Sequence, residues 1–98
     1  MKSKIIILTP VYNDWKNLEK LLKKINKIFE KNLKKVFELI IVNDRSKENF
    51  NFKKYKLKMI KKIRIISLDQ NIGSQRAIAI GIKYINNIYK NKKFKTII

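Results

Sequence analysis

The chain contains no cysteine and no histidine. Disulfide frameworks, Cys/His zinc sites and histidine-based catalytic triads are therefore outside its chemistry. Glycine and proline are almost as scarce, with two of the first and one of the second in 98 residues. The G-x-G-x-x-G dinucleotide fingerprint and the P-loop are both missing, so a phosphate would have to be held by side chains and ordinary backbone. No apolar run approaches the roughly 20 residues of a membrane span. The apolar stretch behind the basic start "MKSK" is too short for a secretory core, and no small-residue cleavage site follows it. A cytoplasmic location is the expectation, with attachment at the inner membrane face as a variant of it.

Acidic residues are also few. Seven stand against 25 lysines and arginines, for a formal net charge of +18. Such a balance suggests a polyanionic partner. Its composition argues the other way, because 22 of the basic residues are lysine and only three are arginine. Arginine is the better residue for planar, bidentate phosphate recognition. A lysine surface accompanied by many isoleucines and asparagines also follows from A+T-rich coding sequence alone. No specific nucleic-acid partner is expected. Association with an anionic membrane surface stays open on the same lysines.

The hydrophobic pattern alternates between two kinds of segment. Ile5 to Thr9 reads as a continuous, β-branched buried strand bounded by Pro10. Asn13 or Asp14 offers an N-cap for a helix over Trp15 to Glu30. The apolar stripe of that helix is Leu18, Leu21, Leu22, Ile25, Ile28 and Phe29, with Lys16, Lys20, Lys23, Lys24 and Lys27 opposite. "FELIIV", Phe37 to Val42, reads as a second buried strand ending in the turn cluster "NDRSKEN". Phe50 to Lys62 is ambiguous between a short helix and an irregular connection. A third strand, Ile63 to Leu68, leads through "DQNIGSQ" into a helix from Ser74 to Lys90, with Ala77, Ile78, Ile82, Ile85 and Ile88 or Tyr89 buried. "FKTII" begins a fourth strand. Buried strands alternating with amphipathic helices indicate one parallel α/β sheet with right-handed crossovers.

Ligands in open α/β sheets bind beyond the carboxyl ends of the strands. The candidates are therefore "TPVYND", "NDRS" and "DQNIGSQR". Pro10 and Asp14 suit a capped strand-to-helix turn, whereas Tyr12 has no role in one. Asp44 is suited either to accepting hydrogen bonds from a ligand or to closing an Asx-turn. Ser74 is placed to cap the second helix, and Gly73 to allow a tight turn. Arg76 lies in the first turn of that helix, where a cation is electrostatically disfavoured. An anionic ligand would compensate it, and so would an ion pair with Asp69 or another acid. Gly81 interrupts a helix interior at a cost of about 1 kcal/mol, which close packing against a strand would explain.

Taken together, "LTPVYNDWKNLEKLL", "ELIIVNDRSKEN" and "NIGSQRAIAIGIKY" resemble the family 2 glycosyltransferases of the GT-A fold. The three correspond to the family's P-x-Y-N-[DE] turn, its [DN]-D-x-S strand end and its N-x-G-x-x-x-A helix start. The resemblance implies a Rossmann-like parallel sheet, incomplete on its C-terminal side, with residues 1–98 as the N-terminal portion of the domain. It implies a UDP- or GDP-sugar donor and a lipid-phosphate or saccharide acceptor. Pro10 and Tyr12 would pack on the base, Asp14 would support the nucleoside, and Thr9 and Val11 would add backbone or hydroxyl contacts. Asp44, with Val42 beside it, would accept from base or ribose, and Arg76 would face the diphosphate. In "NDRS", Asn43 and Arg45 stand where the family often has Asp and Gly. The Asp-x-Asp pair that holds a divalent Mg or Mn on the donor follows the family's fourth strand and has no counterpart here. No catalytic residue and no metal ligand is expected in this chain, and little transferase activity from it alone. The alternatives are a non-catalytic nucleotide-binding α/β module and a basic nucleic-acid or membrane-surface binder.

Overall fold

The computed structural model describes residues 4–30, 37–47, 60–90 and 92–98. Its elements are β1 (Lys4–Val11), α1 (Trp15–Glu30), β2 (Phe37–Asn43), β3 (Ile60–Ser67), α2 (Ser74–Ile88) and β4 (Phe94–Ile97). The four strands form one sheet in the order β3-β2-β1-β4, and every neighbouring pair is parallel. This is the Rossmann-like α/β arrangement expected from the sequence. Of the ambiguous segment, Ile60 to Lys62 belongs to β3, and the rest lies outside the described residues.

Strand alternation sends the side chains of β1 and β2 into two separate cores. Ile7, Val11, Phe37, Leu39 and Ile41 meet Trp15, Leu18 and Leu22 of α1. Ile6, Leu8, Ile40 and Val42 meet Ala77, Ile85 and Tyr89 on the other face. A continuous apolar run is what a strand covered on both faces requires. Each such fully buried Leu or Ile contributes about 1.5–3 kcal/mol of transfer free energy.

Three local expectations are corrected. Pro10 does not end the first strand: β1 continues through the pairs Pro10↔Val42 and Val11↔Asn43. Pairing of β1 with β4 stops at Ile7↔Ile97. The missing N–H of Pro10 thus falls where one flank of β1 has no partner strand among the described residues, and there proline is tolerated. Leu21 is not on the buried stripe of α1 and is largely exposed; the contact line runs through Trp15, Leu18 and Leu22. The side chains of Ile28 and Phe29 lie outside those described. On α2, Ile82 is exposed, because the buried line is Ala77, Gly81 and Ile85 at i, i+4 and i+8. Tyr89 is buried as expected and is the C-cap of α2, its N–H donating to the Ile85 carbonyl at 2.9 Å.

Glu38 is the one acid within the apolar run of β2. It is buried and accepts a hydrogen bond from the Tyr89 hydroxyl. The Tyr89 ring also packs obliquely on Phe94, with centroids 5.9 Å apart. One side chain thus ties the end of α2 to the sheet.

Candidate functional site

The carboxyl ends of β1, β2 and β3 release three short loops, and these are bonded to one another. Asn13, in the left-handed region at φ 53°, donates its N–H to Ser46 Oγ at 2.8 Å. Its side-chain oxygen accepts from the Lys47 N–H at 2.7 Å. Asn43, not Asp44, closes the side-chain turn, with Oδ1 accepting the Ser46 N–H at 2.8 Å. Arg45 also adopts a positive φ of 60°. This is the position where glycine would be at ease, and the turn keeps its shape with a larger residue in it. The Arg45 guanidinium donates to the Asp69 carbonyl at 2.6 Å, which ties the second loop to the third.

Asp44 is the hub. It is only 2% exposed, and all four of its polar atoms are engaged. Its N–H donates to the Val11 carbonyl at 2.8 Å, and its carbonyl accepts from the Asn71 side-chain amide at 3.2 Å. The carboxylate accepts the Ile72 N–H on Oδ1 at 2.8 Å and the Gly73 N–H on Oδ2 at 2.9 Å. Ser74 is not the N-cap of α2. That position belongs to Gly73, at φ 91° and ψ 155°, which offers no side-chain cap. A left-handed glycine is needed there because the chain turns sharply so that two successive N–H groups meet one carboxylate. The buried negative charge also lies at the positive end of the α2 dipole.

The remaining candidates divide by exposure. Tyr12 is 52% exposed, and Asp14 and Arg76 are exposed at the same edge. Asp14 takes the N-cap of α1: its carbonyl accepts the Leu18 N–H at 3.2 Å, and its carboxylate accepts from the Asn17 amide at 2.8 Å. Arg76 makes no hydrogen bond or ion pair among the described residues, so the expected alternative of a pair with Asp69 is not formed. Thr9 and Pro10 are half-buried. The side chains of Val11 and Val42 belong to the two cores, which leaves only their backbone at the edge.

The chain runs outward from β1 to β3 and then returns to place β4 on the other side of β1. That reversal is a topological switch point. An open apolar cavity of about 310 Å³ lies there, lined by Ile7 to Pro10 of β1, Leu21 and Ile25 of α1, and Ile97 and Ile98. Thr9 and Pro10 thus belong both to the loop edge and to the cavity. The residues that sequence reasoning overlooked are Asn13, Asn43, Ser46 and Asn71, which fasten the loops. Their signal was present in the turn-forming Asn and Ser of each strand end.

No group of three acidic residues able to hold a metal ion occurs among the described residues. No helix among them is long and apolar enough to cross a membrane.

The sequence model of the glycosyl transferase family 2 matches residues 6–89. The chain is also similar to "Uncharacterized glycosyltransferase sll0501" of Synechocystis sp., with 32% identity over 91 residues. The alignment takes in 86% of this chain and 26% of that protein, so the chain spans about a quarter of its relative's length. No solved structure matches the chain.

Proposed function

The chain belongs to glycosyl transferase family 2, and from that premise we propose that its carboxyl edge binds the nucleoside diphosphate of a UDP- or GDP-sugar donor for glycosyl transfer. The observation that carries this reading is the joining of three strand-end loops into one surface, beside the switch point, with Tyr12, Asp14 and Arg76 left exposed on it.

Each exposed group suits a different part of such a ligand. The Tyr12 ring and Pro10 give a flat apolar face for the base. Asp14 accepts from ribose hydroxyls. Arg76 meets the diphosphate next to the first turn of α2, where backbone N–H groups and the helix dipole favour an anion. In the transfer itself, an acceptor oxygen forms a bond to the anomeric carbon as the bond to the diphosphate oxygen breaks, and the acceptor proton passes to a base. The residues named here bind and orient the donor; none of them is assigned as that base. Family 2 members generally use a divalent metal. The described acids do not form a set that fits one. A saccharide or a lipid phosphate is the acceptor class in this reading.

Calorimetric titration of the 98-residue chain with UDP and GDP tests the proposal. Binding of one of them is expected, weakened about tenfold or more by Arg76→Gln, since a charge-assisted bond contributes ~1.5–3 kcal/mol. Tyr12→Ala is expected to weaken it by a similar factor, since base stacking on an aromatic contributes ~1–3 kcal/mol. Absence of binding by the unsubstituted chain, or indifference to both substitutions, overturns it.

A further inference from the structure

We infer that the solvent face of α1 is a docking surface for an anionic lipid bilayer. The inference goes beyond the donor-site reading and does not depend on it.

The α1 helix turns Trp15, Leu18 and Leu22 into the core, while Lys16, Lys20, Lys23, Lys24 and Lys27 are exposed. At 3.6 residues per turn and 1.5 Å per residue, these lysines fall within an arc of about 100° and extend over about 16 Å of helix. That arc lies opposite the buried line. Glu19 is the one acid among the described side chains of α1, and it pairs with Lys23 at 3.2 Å. Lys16, Lys20, Lys24 and Lys27 make no ion pair among the described residues.

Coding bias does not account for this placement. It raises isoleucine, asparagine and lysine together. On α2 it gives the exposed Ile80, Ile82, Asn86 and Asn87, with Lys83 as the one lysine of that helix. The two helices cover opposite faces of the sheet, and they differ in lysine under the same bias.

The chemistry of the face favours lipid over nucleic acid. Its described exposed residues include no arginine for bidentate phosphate contacts and no aromatic ring for base stacking. Lysine meets a lipid phosphate as a point charge, which needs no such fork. On the flank of the face, Leu21 is 42% exposed and, with Ile25, lines the open apolar cavity. A nucleic acid has no use for an apolar flank, whereas the headgroup and acyl boundary of a bilayer covers one. A bilayer against α1 lies across the sheet from α2, and so from Arg76.

Flotation of the 98-residue chain with phosphatidylcholine vesicles, with and without about a third phosphatidylglycerol, tests the inference. Binding is expected only with the anionic lipid. Each lysine near such a surface strengthens partitioning about fivefold. Combining Lys20→Gln, Lys24→Gln and Lys27→Gln should therefore weaken vesicle binding about hundredfold. The matched control combines Lys83→Gln, Lys90→Gln and Lys93→Gln. It removes the same charge from α2 and the residues after it, and should weaken binding by less than about fivefold. All six side chains are exposed, so neither triple disturbs a core.

A single-stranded oligonucleotide is the competing probe. Its affinity should fall equally in the two triples, because it senses the net charge of the chain. Absence of binding to anionic vesicles, or equal losses there from the two triples, overturns the inference. So does an oligonucleotide that binds more tightly than the vesicles at the same salt and loses that affinity in the α1 triple alone; the face is then a nucleic-acid site. Failure to bind UDP and GDP overturns the donor-site reading and leaves this one standing.

Discussion

Gly81 of α2 lies directly on Leu8 of β1. A β-carbon built on that glycine would meet both Leu8 methyl groups, one at 3.0 Å and the other closer, and Val42 Cγ2 at 3.1 Å. Leu8 and Val42 are fully buried, so the core must shift to admit a methyl group. Alanine is the better helix former by ~1 kcal/mol, but overpacking a filled core costs ~1–3 kcal/mol. Gly81→Ala is expected to lower stability by about 1 kcal/mol or more in urea titration. A gain would show that Leu8 repacks freely. Leu8→Ala combined with Gly81→Ala should cost less than the sum of the two, because the new methyl enters the space that the leucine leaves.

The same contact shows what was legible beforehand. A glycine inside a helical pattern suggested close packing on a strand, and the packing is there. The order of strands and helices was equally readable, because each segment buries a face whose period its own residues display. Three kinds of feature were not. Leu21 and Ile82 are apolar residues on the flanks of their helices, and periodicity alone does not fix how wide the buried stripe is. Pro10 looked like a strand end because sequence does not show that β4 stops short of it. By residue type and position Asp44 suits a ligand acceptor or a turn. The actual bonds run to Ile72 and Gly73, 28 and 29 residues away, and no local pattern announces a partner at that distance.

Asn13 and Ser46 fasten the first loop to the second. Ser46→Ala removes the acceptor of the Asn13 N–H and is expected to cost about 1 kcal/mol, the usual net value of such a bond. Asn13→Gly keeps the left-handed backbone but loses the bond to the Lys47 N–H. Asn13→Ala loses the bond and meets backbone strain as well, so it should be the more damaging of the two. Thermal unfolding of the three variants checks that order. Equal losses for Asn13→Gly and Asn13→Ala would show that the positive φ carries no cost.

Arg45 holds a conformation that disfavours it while making a hydrogen bond that favours it. The left-handed backbone costs a non-glycine residue ~1–2 kcal/mol, and the bond to the Asp69 carbonyl returns ~0.5–1.5 kcal/mol. Arg45→Gly should therefore change stability by less than about 1 kcal/mol. Arg45→Val, β-branched and without the donor, should be clearly destabilising. A large loss on Arg45→Gly would mean that the guanidinium contact dominates the turn.

Tyr89→Phe removes only the hydroxyl that bonds Glu38. Both residues are buried, so the acid loses a donor that water cannot readily replace. A loss of ~0.5–1.5 kcal/mol is expected, the usual net value of one hydrogen bond. Glu38→Gln keeps an acceptor for the hydroxyl and should cost less. The comparison is made by denaturant titration, and a Tyr89→Phe variant as stable as the parent would place the worth of Tyr89 in its ring alone.

Arg76 must finally be separated from the general field of a chain with 25 basic residues. That field attracts any anion and is screened by salt, with a Debye length of ~10 Å at 0.1 M and ~3 Å at 1 M. A guanidinium in contact with a diphosphate is screened less, because its bond is short and directional. Lys83, exposed further along α2, is the suitable control, since its replacement removes the same charge without touching the first turn. At low salt, Arg76→Gln and Lys83→Gln should both weaken UDP or GDP binding, the first about tenfold and the second by less than about twofold. Raising the salt to about 0.5 M should erase the difference made by Lys83→Gln and leave most of that made by Arg76→Gln. If instead the two variants match at every salt concentration, the diphosphate responds to the lysine surface as a whole and Arg76 has no place of its own in the site.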